Sequence, residues 1–206
     1  MSSPIVIKVG GSLFDLPELA RRLTEFLNAL DRGRWLLVPG GGALVDAIRK
    51  LDATHVLGEE AAHWLALRTL SVNAFFLSRL LAGRRGIVSA AVDEWPALWR
   101  NGDVPILDAY AFALADEARQ DHLPHSWDVT SDSLAARVAL LLGARRLILL
   151  KSTPPPKDAD GLTTVPEGIV DRYFSHALKP KWANYSCHVE IVNLREWKPS
   201  YCSRRL

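Results

Sequence analysis

Two lysines each close an apolar run: Lys8 follows Ile5-Val6-Ile7, and Lys151 follows Leu147-Ile148-Leu149-Leu150. A buried ammonium group is costly without an anion beside it, so a lysine at a strand end is either a solvated edge charge or a phosphate ligand. Gly10-Gly11-Ser12 comes just after Lys8, and Gly40-Gly41-Gly42 ends a second apolar run, Trp35-Leu36-Leu37-Val38-Pro39. Glycine lacks a Cβ, so such turns let backbone N–H groups come close to a ligand, and a helix opening from the turn attracts anions. Two such turns with a lysine beside the first suit a protein that holds two phosphate-bearing or acidic groups face to face. Phosphoryl transfer requires that arrangement.

Asp132 stands at the start of an alanine- and leucine-rich stretch. It is either an N-cap or a carboxylate set between Lys8 and Lys151, whose ammonium groups otherwise repel one another. Lysines ending two separate strands favour the second role. Ser12 either donates to a phosphate oxygen or caps the next helix, and the two are compatible. The glycine triplet serves a ligand or a steric need for close packing. Asp128, Thr130 and Ser131 line the acceptor side, or only cap and turn. His63-Trp64 either recognises the acceptor or packs, and Trp95, Trp99 and Trp127 are candidates for an aromatic substrate pocket. Asp46, Asp121 and Asp128 are the candidates to meet an amine, should the acceptor carry one. There is no G-x-x-x-x-G-K-S/T, no G-x-G-x-x-G, no G-x-S-x-G and no metal-spaced His/Cys cluster, so no protein-held metal is expected.

Alternating strands and helices must position these groups. Apolar spacing predicts helices over 17–30, from 42 onward, over 95–100, 133–142 and 171–177, and either one bent helix or two over 59–81. Strands are expected at the first apolar run and at 35–38, 86–90, 104–107, 147–150 and 189–193. The polar stretch 115–126 reads as a loop on the ligand side. Such alternation implies a parallel sheet covered on both faces, with ligands at the carboxyl ends of its strands. Both glycine turns, Asp132 and Lys151 fall there and should converge.

The 206 residues fit one domain, and 49% hydrophobic content supports a sizeable core. With 25 basic and 23 acidic side chains the chain lacks the basic bias of a nucleic-acid binder, so no nucleic-acid partner is expected. Cys187 and Cys202 lack framework or metal spacing and read as free thiols of a reducing compartment. Met1 to Pro4 lead straight into a strand without a leader pattern, and Arg145-Arg146 interrupt the longest apolar run, so no membrane association is expected. The expectation is a soluble, cytoplasmic protein.

Four blocks in order resemble the amino acid kinase family: Val-Ile-Lys-Val-Gly-Gly-Ser at 6–12, Pro-Gly-Gly-Gly at 39–42, Thr-Ser-Asp-Ser-x-Ala-Ala at 130–136 and Leu-Leu-Lys-Ser-Thr at 149–153. The resemblance implies a three-layer αβα sandwich with an open, mainly parallel sheet. It implies transfer of the ATP γ-phosphoryl to a carboxylate, carbamate or phosphate oxygen. By that analogy Lys8 and Lys151 neutralise the transferring group and Asp132 organises them. Gly10, Gly11 and Gly41 donate N–H groups to it, with Ser12 beside them. Gly40, Gly42, Asp46, His63, Asp128, Thr130 and Ser131 face the acceptor, and Ser152, Thr153, Asp160 and Gly161 the nucleotide. Mg2+ travels with ATP, and no protein base is needed because the acceptor is already an anion. Residues 1–142 become mainly the acceptor half and 143–206 the nucleotide half of one domain, and a homo-oligomer is common in the family. The segment after Lys151 departs from the family pattern through Pro154-Pro155-Pro156, with Asp160-Gly161 as a displaced equivalent of the usual Asp-Gly.

Within the family the Lys-Ser-Thr resembles the uridylate and phosphate-acceptor branch. The short length, His63-Trp64 and Ser-Trp-Asp-Val-Thr-Ser-Asp at 126–132 are similar to the small kinase branch of methanofuran-type cofactor synthesis, which makes a diphosphate from an aminomethylfuran-methyl phosphate. The alternatives are a uridylate, isopentenyl phosphate or amino-acid carboxylate acceptor, or a non-catalytic nucleotide- or oxyanion-binding protein of the same fold.

Overall fold

Among the described residues, aliphatic and β-branched runs form six short strands: β1 (Ile5–Val9), β2 (Trp35–Pro39), β3 (Gly86–Ser89), β4 (Val104–Leu107), β5 (Arg146–Lys151) and β6 (His188–Asn193). In the computed structural model, which describes residues 3–30, 33–81, 83–154, 168–179 and 185–199, they make one sheet in the order β3-β4-β2-β1-β5-β6. Every pairing is parallel. The central strands are buried along almost their whole length because helices cover both faces.

The helices are α1 (Leu19–Ala29), α2 (Gly42–His55), α3 (Glu59–Leu80), α4 (Trp95–Arg100), α5 (Ala109–Asp116), α6 (Ser131–Leu141) and α7 (Phe174–Ala177). One core layer joins Val6, Leu36, Val38, Leu147 and Leu149 to α6, α7, Phe112 of α5 and the first half of α3. The other joins Ile7, Val9, Leu37, Ile148 and Leu150 to α1 and to Ala74 and Leu77 of α3. The fold is thus a three-layer αβα sandwich. Side chains alternate along a strand, so Lys8 shares a face with Val6, and Lys151 with Leu147 and Leu149. Both lysines therefore project to the α6 side.

Several element boundaries differ from the sequence reading. Residues 59–80 form a single helix, and α1 begins at Leu19, beyond Pro17. A short 3-10 turn, Gly11–Leu13, rather than an α-helix, succeeds the first glycines. The helix α5 was not anticipated: its sequence is apolar on all sides, which hides the helical period. Asp108 caps it by accepting from the Ala111 N–H at 3.2 Å. The loop predicted at 115–126 therefore starts at 117. Of the three tryptophans, Trp95 is fully buried in the core and Trp99 donates to the Trp35 carbonyl at 2.7 Å, so only Trp127 reaches the main cavity. Among the described residues no helix is long and apolar enough to cross a membrane. Cys187 is a free thiol, and Cys202 lies outside the described residues.

Candidate active site

Parallel register brings the first strand ends level: Val9 pairs with Pro39 on one side and with Leu150 on the other. The turns that leave these level strand ends are therefore neighbours in space. The two glycine turns interlock backbone to backbone. A Cβ on Gly11 would lie 2.0 Å from the Gly42 nitrogen, and one on Gly40 would lie 2.2 Å from the Gly11 nitrogen. Gly42 also has φ of +55°, which disfavours any side chain. Close packing, the alternative to ligand binding for this triplet, is thus a real demand on it.

The N–H groups divide by function. The Gly10 N–H donates to the Leu150 carbonyl at 2.8 Å, and the Gly40 N–H to the Val9 carbonyl at 2.8 Å. The implied donation from Gly10 to a phosphate is therefore corrected: its hydrogen already completes the sheet. Gly11, Gly41 and Gly42 line the cavity. Asn73 of α3, buried, donates to the carbonyls of both Gly40 and Gly41 at 2.8 Å. Holding both carbonyls on α3 fixes the orientation of the turn. Its signal was a lone polar residue in the core-facing stripe Leu70, Ala74, Leu77. Asn73→Ala is expected to lower unfolding free energy by about 1–3 kcal/mol, read from denaturant melts, because two carbonyls lose their donor.

Asp132 lies in the first turn of α6, not at its cap, which is Thr130. Its carboxylate bridges the lysines, with Lys8 Nζ at 2.9 Å from Oδ1 and Lys151 Nζ at 2.7 Å from Oδ2. Burial pushes the carboxyl group up, but the two ammonium groups outweigh it and hold Asp132 below the usual carboxylate range. Lys151 is pushed below the ordinary lysine value by burial and by Lys8, with Asp132 opposing. The Ser12 and Ser152 hydroxyls hydrogen-bond at 2.8 Å, tying the first turn to the end of β5. Asp171, which no local pattern marked, accepts from the N–H and hydroxyl of Thr130 at 3.0 and 2.7 Å, and from the Ser133 N–H at 2.9 Å and its hydroxyl. It thereby satisfies the open end of α6 and steadies Asp132.

These parts open onto a cavity of about 660 Å3, large enough for a small ligand. Lys8, Ser12, Asp46, His63, Thr130 and Ser131 line it. Asp128 does not: its side chain is mostly exposed and pairs with Arg172 at 3.5 Å. Asp160 and Gly161 lie outside the described residues, while Ser152 and Thr153 come directly after β5.

His63 stacks on His125, centroids 5.1 Å apart, and burial with the neighbouring His125 pushes its pKa down to about 4, so it is neutral near pH 7. Glu117, His122 and His125 bring one ligand atom each within 4.8 Å of one another, a grouping that can hold a cation and that sequence spacing did not flag.

A family model described as "Amino acid kinase family" matches residues 3–166. At 24% identity over 158 residues, the chain is similar to the (5-(aminomethyl)furan-3-yl)methyl phosphate kinase of Methanocaldococcus jannaschii, covering 76% of this chain and 67% of that one. Among solved structures it resembles UMP kinase from Bacillus anthracis, with a TM-score of 0.63 and 14% identity over 94% of this chain and 88% of that one. It also resembles aspartate kinase from Synechocystis, with a TM-score of 0.65 and 14% identity over 96% of this chain and 39% of that one. At these identities the structural likenesses bear on the fold alone.

Proposed function

Since the chain belongs to the amino acid kinase family and is a phosphotransferase, we propose that it moves the γ-phosphoryl of ATP to the phosphate of an aminomethylfuran-methyl phosphate, forming a diphosphate. The observation that carries the reading is the buried carboxylate holding Lys8 at 2.9 Å and Lys151 at 2.7 Å, beside two interlocked glycine turns. Two phosphate groups repel as they approach. Fixed ammonium groups in a poorly hydrated site offset that repulsion most where charge spreads in the transition state. Asp132 pairs with both cations and keeps them aimed. The attacking oxygen is already anionic, so no side chain must remove a proton.

In this reading Lys8, Gly11, Ser12 and Gly41 meet the transferring group. Gly42, Asp46, His63, Thr130 and Ser131 face the acceptor, and Ser152 and Thr153 face the nucleotide. Residues 1–142 then form mainly the acceptor half and 143–206 mainly the nucleotide half. Both Asp132 oxygens are engaged by lysines, so Mg2+ belongs on the phosphates of ATP. Bound with ATP, it would supply further positive charge to the phosphates. The furan acceptor is supported by the name of the curated relative and by the same His63-Trp64 and 126–132 features.

The test is ADP release from Mg·ATP over a panel of acceptors: the aminomethylfuran-methyl phosphate, UMP, isopentenyl phosphate, carbamate, acetylglutamate and aspartate. Diphosphate formation on the furan phosphate alone is expected. Turnover of a different acceptor would replace the substrate assignment, and tight ATP binding without any turnover would sink the catalytic reading. Lys8→Ala is expected to cut kcat by about 100- to 1,000-fold with the circular dichroism spectrum retained.

A further inference from the structure

Four carboxylates line the main cavity among the described residues: Asp15, Asp46, Asp116 and Glu117. Three are matched to arginines. Asp15 meets Arg195, Asp46 meets Arg49 at 3.0 Å, and Asp116 accepts from the buried Arg137 at 2.9 and 3.0 Å. Among the described residues Glu117 meets only imidazoles, His125 Nε2 at 2.9 Å and His122 Nδ1 at 3.4 Å. A carboxylate accepts about four hydrogen bonds, so Glu117 keeps capacity for a further donor. Two other sequence candidates for meeting an amine are engaged elsewhere, Asp121 with Arg137 at 3.0 Å and Asp128 with Arg172 at 3.5 Å.

Glu117 is also held in place. Arg137 grips Asp116 just before it and Asp121 just after it, so the start of the 117–130 loop is tied to α6. Its position relative to the glycine turns is set by α3. Asn73 holds the Gly40 and Gly41 carbonyls, while His63, ten residues earlier, stacks on the same His125 that bonds Glu117. At 1.5 Å rise per residue these two points lie about 15 Å apart along the helix. Leu67, Leu70, Phe112 and Val129 give the cavity apolar wall as well.

We propose that Glu117 is the specificity-determining group for a cationic amine on the acceptor. The cavity then selects a dipolar molecule, with its phosphate at the Lys8 end, an apolar ring along the Leu67 and Phe112 wall, and its ammonium group on Glu117. This rests on the kinase reading. It adds that an acceptor without the amine is a poor substrate, because the carboxylate then loses hydration without gaining a charged donor.

The experiment compares kcat/KM for two acceptors, the aminomethylfuran-methyl phosphate and its methyl analogue without the amine. The wild-type protein is expected to prefer the amine by about 50-fold, the value of one charged hydrogen bond. Glu117→Gln should erase that preference by lowering the rate with the amine acceptor, while the amine-free acceptor changes less than about 3-fold. Glu117→Asp, which keeps the charge, should restore part of the preference. Equal losses on both acceptors in Glu117→Gln, or equal wild-type rates, overturn the subsite and leave the kinase reading standing. A wild-type protein that turns over UMP or a carboxylate but neither furan phosphate overturns the subsite together with the furan acceptor, and leaves phosphoryl transfer standing.

Discussion

Asp132→Asn is expected to lower kcat by about 1,000-fold and unfolding free energy by about 3–5 kcal/mol. The substitution is nearly isosteric, so both losses come from charge. Asp132 is 5% exposed, and each of its oxygens meets a lysine. Removing the carboxylate leaves two ammonium groups facing one another in a partly dry site, which costs more than the ion pair contributes. The lysines then swing apart, which moves positive charge away from the transferring group. Steady-state kinetics and denaturant melts measure the two losses. An unchanged rate would falsify the role assigned to Asp132. A lost rate with unchanged stability would place the charge balance elsewhere.

The same carboxylate sets an acid limit. Burial raises its pKa, the lysines lower it further, and the net value lies below that of an unfolded aspartate. The unfolded chain therefore binds the extra proton first as pH falls. The stabilisation from Asp132 is complete above the ordinary aspartate range and is lost as pH drops through its depressed value. That component should be missing from the pH profile of Asp132→Asn.

Gly11→Ala is expected to cost at least about 3 kcal/mol of stability and about 100-fold in kcat. The added Cβ would sit 2.0 Å from the Gly42 nitrogen, 2.6 Å from its Cα and 2.9 Å from the Gly41 carbonyl carbon. All three are backbone atoms, so no rotamer change relieves the clash, and the two turns must part. Parting them moves the Gly41 and Gly42 N–H groups away from Lys8, and displacement on the scale of an ångström is costly for a charge-stabilising site. Gly41→Ala is the comparison: its Cβ would meet Val45, Cγ2 at 2.6 Å and Cβ at 2.7 Å, a clash at the start of α2 rather than between the two turns. If Gly11→Ala unfolds at the wild-type denaturant concentration and keeps wild-type activity, interlocking of the turns is not what constrains Gly11.

Much of this site was legible before folding was considered. A lysine closing an apolar run and glycines clustering after one are local signals, because a strand end and a tight turn are decided by neighbouring residues. Parallel topology came from the alternation of strands and helices, and it placed Lys8, Lys151 and both turns at one sheet edge. Asp132 was legible because two cations need an anion between them. The helix α5 escaped because Ala109-Tyr110-Ala111-Phe112-Ala113-Leu114 has no polar side to reveal its period.

Long-range pairings were not legible, since they depend on which residues the fold makes neighbours. Asp171 satisfies the end of α6 from 38 and 41 residues away, and Asn73 reaches the glycine turn across 32 and 33. Glu117 was not singled out within a polar stretch that reads as a loop on the ligand side. Only the tertiary structure showed that Arg137 anchors its flanks, that arginines occupy the other cavity carboxylates, and that Gly10 spends its N–H within the sheet. Sequence alone determined the chemistry at the strand ends, because residue type and local order suffice for it. Which cavity carboxylates pair with arginines and which with imidazoles was decided by packing, because an ion pair depends on which side chains the fold makes neighbours.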